Sequence, residues 1–395
     1  MHQNRRLISR LLILLVLLPA FACVLQAQDK DKDEDAAAPN WRFVFQKKYE
    51  LFRDYGHDWR LGSLFALTPE DGVLLGAGPI VYEFGFHTFP YVYRMQLVAG
   101  FSVPTGKFKF VYTLSMPSLS KRFSLDLTAH ASEVEVRNFY DFGNESRRDK
   151  QKEDDDFYRV SSREYFVQPT LYHVLFKRSN IGIGLSVKHF EVRDTSGRSV
   201  ANLSADTLGH NRTQLGIGAN LVIDTRNHPL IPHRGLYVKL GAWNYPDPFK
   251  SRPPFQRIIG DLRFYIGDTL ITDVMLALRL SAEKVYGSFP FYEAAFLGGP
   301  RTLRGYTLQR FAGDAAAFAS AELRFSLFRA KLLVPTEVGL FLLADVGRIL
   351  APGGLHSDTG VGVWLAPMNR NVILSFAGAS SVDGLFISGG VGFGF

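Results

Sequence analysis

From Trp59 onward, apolar and polar side chains alternate with a period of two through one segment after another. In 107–116, Phe108 and Phe110 fall on one face of an extended chain and Lys109 falls on the other. The same alternation recurs in four further segments: 123–130, 259–266, 274–283 and 318–327. Because this is the period of a β-strand, the pattern restricts this part of the chain to an all-β fold.

The two faces of these segments favour a membrane barrel over a soluble sandwich, whose strands also alternate. The apolar face is an unbroken band that ends in aromatic residues, as contact with lipid requires. The opposite face carries charges, as suits a wet lumen. These charged residues are Lys109, Asp126, Arg263, Glu283, Glu322 and Arg324. Since backbone polar groups in lipid must be paired internally, the strands are expected to close into a barrel.

The number of strands also fits a bacterial barrel, in which it is even. We predict sixteen antiparallel transmembrane strands within a barrel domain at 59–395. The segments are 59–67, 73–85, 91–102, 106–116, 122–137, 161–174, 179–193, 209–224, 235–245, 254–267, 271–286, 313–328, 338–348, 358–366, 370–379 and 383–395. Long connections fall at alternate positions, which predicts long outer loops and short periplasmic turns.

Residues 1–27 have the pattern of a secretory signal peptide. Three arginines precede the apolar run 11–18, which is too short to span a bilayer. A membrane anchor, or lipidation at Cys23, is the alternative for this segment. Residues 28–58 form a charged spacer, and 40–58 is either a short amphipathic helix or an irregular lead-in. The chain is therefore expected to be exported to the bacterial outer membrane.

Composition and motifs exclude several functions. The formal net charge is +7, and removal of 1–27 would leave +4, too small an excess to indicate a nucleic-acid binder. The single Cys excludes a disulfide framework. No hydrolase, metalloprotease or nucleotide-binding motif is present, so we expect no enzyme, cofactor or metal site. His130 is interpreted as lumen lining, and the acidic run 153–156 as a solvated cluster in an outer loop.

Two segments carry a likeness to a known family. The first, 296–306, contains a Gly-Gly pair followed by Arg-Gly-aromatic, namely Gly298, Gly299, Arg304, Gly305 and Tyr306. It resembles the signature of the sixth outer loop in the BamA superfamily, also called the bacterial surface antigen family. The second, 224–235, resembles a periplasmic turn of that family through Asp224, Arg226, Pro229, Pro232 and Gly235. We interpret the turn as structural, since proline removes a backbone donor and ends a strand.

Two further positions extend the resemblance toward the end of the chain. Glu322 and Asp345 lie on inward faces where the family places acidic residues. The resemblance implies that the sixth loop folds into the lumen and that Arg304 meets these carboxylates. Ser388, Gly390, Phe393 and Phe395 match the terminal-strand signal that the cell's barrel-assembly machinery recognises. The alternation predicts that Phe393 and Phe395 face outward, and the glycines around them predict a weak seam with the first strand.

The resemblance implies a non-enzymatic barrel that assists the insertion or translocation of proteins, or the handling of lipids. The alternative is a passive pore or structural barrel. Assembly factors of the family carry periplasmic POTRA domains of about 75 residues each, whereas 28–58 is too short for one. We therefore expect a barrel-only member, with a separate periplasmic partner or client proteins. Outer-membrane lipids and lipopolysaccharide are the other expected partners.

Overall fold

The structure, a computed structural model, describes residues 55–395 with short gaps. The gaps are 69–71, 87, 89, 104, 121, 134–136, 177, 210, 248–252, 269–273, 332–333 and 368–371. The predicted signal peptide and nearly all of the predicted spacer therefore lie outside the described residues. Among the residues that are described, no helix is long and apolar enough to cross a membrane.

Sixteen long strands form the wall of the molecule, and the number of strands predicted from the sequence is confirmed. In chain order, together with three short strands, they are β1 (Gly56–Thr68), β2 (Gly72–Phe84), β3 (Tyr93–Ser102), β4 (Phe108–Met116), β5 (Phe123–Ser132), β6 (Arg137–Asn138), β7 (Arg159–Phe176), β8 (Ser179–Asp194), β9 (Arg212–Asp224), β10 (Arg234–Tyr245), β11 (Phe255–Asp268), β12 (Val274–Gly287), β13 (Ala295–Leu297), β14 (Phe311–Gly313), β15 (Ala315–Lys331), β16 (Pro335–Ile349), β17 (His356–Pro367), β18 (Leu374–Ser381) and β19 (Gly384–Val391).

Each long strand pairs antiparallel with its neighbours along the chain, and β19 pairs with β1 to close the barrel. The short β6 pairs with β7, and β13 and β14 form a hairpin of their own. The described loops contain three short helices. They are α1 (Lys150–Asp154), α2 (Ala205–Leu208) and a 3-10 helix (Phe291–Glu293).

The alternation seen in the sequence becomes an outer and an inner face of the wall. On β9, Leu215 and Ile217 point outward and are exposed, whereas Gln214 and Asn220 point inward and are buried. On β16, Leu340 and Leu342 are exposed, and Asp345 is buried. The apolar outer face suits lipid, and the polar side chains line the lumen.

The three longest connections lie at one end of the barrel, as the sequence predicted, although 225–233 at the other end is longer than the predicted long connection at 350–355. The longest are 133–158, 195–211 and 288–314. We call this the long-loop end and the opposite end the short-turn end. The acidic run 153–156 lies here, partly in α1. The loop 288–314 folds back from this end into the lumen, where it meets inward side chains of β15 to β18.

Candidate functional site

The loop 288–314 is fixed in the lumen by its own backbone. Its hairpin of β13 and β14 is bridged at Ala312 to Phe142 and Gly143 of a second loop. Gly298 and Gly299 adopt positive φ angles of 110° and 96°, which side chains with a Cβ rarely adopt. The Gly299 amide donates to the carbonyls of Leu303 and Tyr306, and this closes a compact turn. The turn brings Arg304 to the tip of the loop.

Arg304 meets two carboxylates of the barrel wall. Its Nε and Nη2 donate to the two carboxylate oxygens of Asp345, each at 2.7 Å. Nη1 donates to Glu322, and Nη2 also donates to Ser320 Oγ at 2.9 Å. The Arg304 side chain is 5% exposed, and both carboxylates are fully buried. We call Arg304, Ser320, Glu322 and Asp345 the loop lock.

Each member of the loop lock depends on the others because the group is buried away from water. A planar guanidinium can donate two parallel hydrogen bonds to one carboxylate, and Arg304 does so with Asp345. Removing one partner from a buried ion pair costs about 3–5 kcal/mol, because a charge is left without compensation. Glu322 also accepts a hydrogen bond from Arg324 Nε at 2.7 Å. With Arg324 included, two cations and two anions alternate.

Gly305 and Tyr306 place the loop tip against the next two strands. A Cβ on Gly305 would lie 2.5 Å from the Cβ of Asp358, so only glycine fits this close approach. The Gly305 carbonyl accepts from Ser381 Oγ. The Tyr306 hydroxyl donates to the Ser357 carbonyl at 3.3 Å. The tip thus contacts β15, β16, β17 and β18, which lie on one side of the seam.

The seam between β1 and β19 is the weakest junction of the wall. Among the described residues, only Ala66–Gly390 and Leu67–Gly389 are paired across it, whereas β17 and β18 share seven pairs. The ladder is short because of the register of β19 against β1, and it is weak because both paired residues of β19 are glycines. Because Gly390 faces Ala66, the end of β19 at Val391 falls opposite Phe65. The remainder of β1 toward the short-turn end has no strand partner on this side among the described residues.

The last residues leave the wall, and the predicted outward orientation of Phe393 and Phe395 is wrong. The last strand ends at Val391, and Gly392 turns the chain inward with a φ angle of 92°. The Phe393 ring packs in the lumen against Phe341 and Trp364, with centroids 6.1 and 5.8 Å apart. Alternation holds only while a strand continues, so the sequence pattern missed this turn. We call residues 392–395 the tail.

The tail reaches the part of the wall that β11 and β12 form. Phe395 packs against Tyr265 and Met275, which point inward from β11 and β12. Ser388 and Gly390, the other members of the predicted terminal signal, remain within β19. The structure therefore separates the four residues into a strand part and a lumenal part.

The predicted turn at 224–235 is held together by Asp224 and Arg226. Arg226 Nε and Nη2 donate to the two oxygens of Asp224 at 3.0 and 2.9 Å, and Nη1 donates to the Pro229 carbonyl. Gly235 has a φ angle of 123°, and a Cβ there would lie 2.6 Å from the Arg226 Cα. Pro232 is buried and follows Ile231, which packs against Phe341 and Trp364 in the lumen. These contacts suit a structural role.

Sequence reasoning missed a second anchor of the loop. Arg310 Nε donates to Asp383 at 2.7 Å, and Nη1 donates to Ser146 Oγ at 2.7 Å. The anchor joins the loop to two other connections of the long-loop end. No spacing in the sequence relates Arg310 to partners 73 and 164 residues away. A third group, in which Lys188 and Arg257 bind the buried Glu293, is equally invisible in the sequence.

Tyr140 packs beside the second anchor, with its ring 4.9 Å from the Arg310 guanidinium. Its hydroxyl donates to Glu153 at 2.8 Å and contacts the Thr307 hydroxyl at 3.2 Å. Burial raises the pKa of the Tyr140 phenol far above its ordinary value, and the Glu153 carboxylate raises this pKa further. The phenol therefore stays neutral and remains a hydrogen-bond donor.

A cavity of about 680 Å³ remains in the lumen between the loop and the wall. It is lined by polar and charged side chains of the wall, among them Asp126, Lys239, Asp261, Arg263, Arg279 and Glu283. Asp261 binds Arg263 and Arg279, so these charges compensate one another. His130, in the same wall, binds Glu164 at 2.8 Å. In the described part of the chain, no three His, Cys, Asp or Glu side chains cluster to hold a metal.

Comparison with known proteins gives the family. A model of the Omp85 superfamily domain matches residues 96–362. The fold is similar to the crystal structure of BamA from Haemophilus ducreyi lacking POTRA domains 1-3, with TM-score 0.61 and 12% identity over 85% of this chain and 70% of that chain. It is also similar to CdiB from Escherichia coli, with TM-score 0.59 and 16% identity over 85% of this chain and 62% of that chain. No curated protein sequence matches the chain.

Proposed function

The chain belongs to the Omp85 superfamily of outer-membrane β-barrels, and from this membership we propose that it assists the insertion or translocation of other proteins by opening its seam. The observation that carries the proposal is that, within the part of the chain that the structure describes, β1 pairs with β19 at only two positions. A barrel that serves only as a wall would gain stability from a full ladder at this junction. The described chain instead leaves most of the β1 edge free.

An open strand edge gives the proposed activity a physical basis. Toward the short-turn end, the β1 edge has no strand partner among the described residues, and a free strand edge can add an extended strand from another chain. A client strand bound there would complete its hydrogen bonds before it enters lipid, where unpaired backbone groups are costly. The same junction is the natural place for the wall to separate, because two pairs hold it.

The loop lock has a supporting role in this proposal. It fixes the loop to β15 and β16, and the neighbouring Gly305 and Tyr306 fix the loop to β18 and β17. These strands form the wall on the β19 side of the seam. A rigid wall on that side would let the seam open without the collapse of the barrel. The long-loop end would face outward, and lipopolysaccharide and other outer-membrane lipids would surround the wall.

Clients and partners follow from the same proposal. Within the superfamily, assembly factors depend on POTRA domains to capture clients. We expect a separate periplasmic partner to supply that capture at the short-turn end. The barrel-assembly machinery would act during biogenesis, through the terminal signal at Ser388 and Gly390. The protein would act without an enzymatic step or a cofactor.

A reversible seam cross-link tests the proposal. Ala66→Cys and Gly390→Cys, in a Cys23→Ser background, place two thiols opposite each other across the seam. In liposomes, the unlocked barrel is expected to accelerate the folding of a test client barrel. Oxidation is expected to abolish that acceleration, and reduction is expected to restore it, because the seam can then separate.

The matched control places the same cross-link one junction away. Gly378 faces Ile387 between β18 and β19, and a Cβ at Gly378 has room, with its nearest neighbour 3.9 Å away. Gly378→Cys with Ile387→Cys should leave the acceleration intact after oxidation. If the cross-linked seam is as active as the free one, or the barrel never accelerates folding, the proposal is wrong. Steady ion conductance without client activity would instead favour the passive pore.

A further inference from the structure

Arg324 is buried at the centre of the contacts that hold the tail inside the lumen. Its guanidinium carbon lies 3.7 Å from the centroid of the Phe393 ring, and Nη2 donates to the backbone oxygen of Phe395 at 2.9 Å. The side chain is 2% exposed. A cation over an aromatic face and a charged hydrogen bond in a dry site are both stronger than their counterparts in water. Arg324 therefore holds the end of the tail, at Phe393 and Phe395, whereas Ile373 and Ser375 hydrogen-bond to its first residue, Gly392.

The tail has a second possible position, and the register of β19 against β1 defines it. Ala66 faces Gly390 and Leu67 faces Gly389. If β19 continued in this register, residues 391–395 would face residues 65–61 of β1. Leu385, Ile387 and Val391 point outward from β19, so Phe393 and Phe395 would point outward too. This paired arrangement is the one that the sequence alternation describes, and it would extend the ladder across the seam.

We propose that Arg324 is a positioning residue that holds the tail in the lumen and so keeps the seam short of hydrogen bonds. The tail is then a switch between two arrangements. In the lumenal arrangement, Arg324 holds Phe393 and Phe395, and no other described strand covers the remainder of the β1 edge. In the paired arrangement, the tail covers that edge and closes the seam. The inference rests on the proposed function for its biological meaning, but the switch itself is a property of the barrel alone.

The switch is joined to the loop lock through one carboxylate. Glu322 accepts hydrogen bonds from both Arg304 and Arg324. A Cβ on Gly394 would lie 3.1 Å from Arg304 Nη1 and 3.3 Å from Glu322 Oε1, so the tail passes directly beside the loop tip. A movement of the loop would therefore change the site that Arg324 offers to the tail.

Cross-linking of the purified full-length barrel measures the two arrangements. Leu61→Cys and Phe395→Cys, in a Cys23→Ser background, come together only when the tail is paired with β1. A short thiol cross-linker should give little product in this parent. Arg324→Gln removes the charge and should raise the paired fraction about tenfold, as expected for the loss of a buried charged hydrogen bond. Arg324→Lys, which keeps the charge but not the planar fork, should fall between the two.

Two further variants keep the test independent of the folding of the Arg324 variants. Gly392→Val leaves Arg324 intact but disfavours the positive φ angle of the inward turn, and nothing lies within 4 Å of the added Cβ. It should also raise the product. Gly354→Val, at an equally open glycine without a positive φ angle, should not. Arg329→Gln, on the same strand with a side chain 76% exposed, should leave the product unchanged.

The outcomes separate this inference from the proposed function. If Arg324→Gln and Gly392→Val both leave the product at the parent level, Arg324 does not control the tail and the inference is wrong. If the product rises in both, the inference holds, whatever a client-folding assay shows. Client folding is measured separately, so loss of that activity without a change in cross-linking counts against the proposed function alone.

Discussion

Arg304 is held by two buried carboxylates although one would balance its charge. The second, Glu322, also binds Arg324, so the order across the group is Asp345, Arg304, Glu322 and Arg324. Alternating charges allow all four side chains to be desolvated together. The arrangement makes each member dependent on its neighbours, and it explains why a single arginine can fix a long loop.

Arg304→Ala leaves Glu322 with one cation and Asp345 with none, and it should destabilise the barrel by about 3–5 kcal/mol. The measurement is the temperature at which the folded band is lost in semi-native gel electrophoresis. Arg329→Ala serves as the control because this side chain is 76% exposed, and it should change this temperature little. An unchanged transition in Arg304→Ala would show that the loop lock does not stabilise the barrel.

The loop 288–314 is an element with two separate anchors. Arg304 fixes its tip near the middle of the lumen, and Arg310 fixes its return limb to Ser146 and Asp383 at the long-loop end. Two anchors restrict the loop far more than one, because a segment held at both ends has few conformations left. The loop therefore behaves as part of the wall rather than as a free outer loop.

The contribution of the Arg310 anchor can be measured apart from that of Arg304. Arg310→Ala should free the return limb, residues 305–314, while the tip stays bound, so chymotrypsin should cleave after Phe311, which is buried in the parent, several-fold faster. Mass spectrometry of the fragments measures the rate. Arg193→Ala, on the outer face with a side chain 49% exposed, is the control. Equal cleavage rates in parent and Arg310→Ala would mean that this anchor is dispensable.

The loop and the tail together fill much of the lumen that the sixteen strands enclose. The loop enters from the long-loop end, and the tail enters from the short-turn end near Ile231. The two meet at Glu322, where Arg304 and Arg324 converge. A barrel filled in this way is a poor open pore and a good support for movement at one seam.

Ion conductance through the lumen should increase when the loop loses both of its anchors. Arg304→Ala combined with Arg310→Ala removes both anchors of the loop, so planar bilayer recordings should show larger or more frequent openings than the parent shows. Arg193→Ala combined with Arg329→Ala changes the same number of charges on exposed side chains and should conduct as the parent does. Identical traces from the two double variants would show that the loop does not obstruct the lumen.

The alternation along the chain was sufficient to predict the barrel, the number of its strands and which side chains within those strands face inward. These follow from local alternation, because a strand of period two has only two faces and lipid tolerates no unpaired backbone. The sequence also indicated Arg304, Glu322 and Asp345 through a family resemblance. The inward turn of Phe393 and Phe395, the anchor at Arg310 and the short seam became visible only in the folded chain. These depend on register and on contacts between residues far apart in the chain, and local alternation carries no information about either.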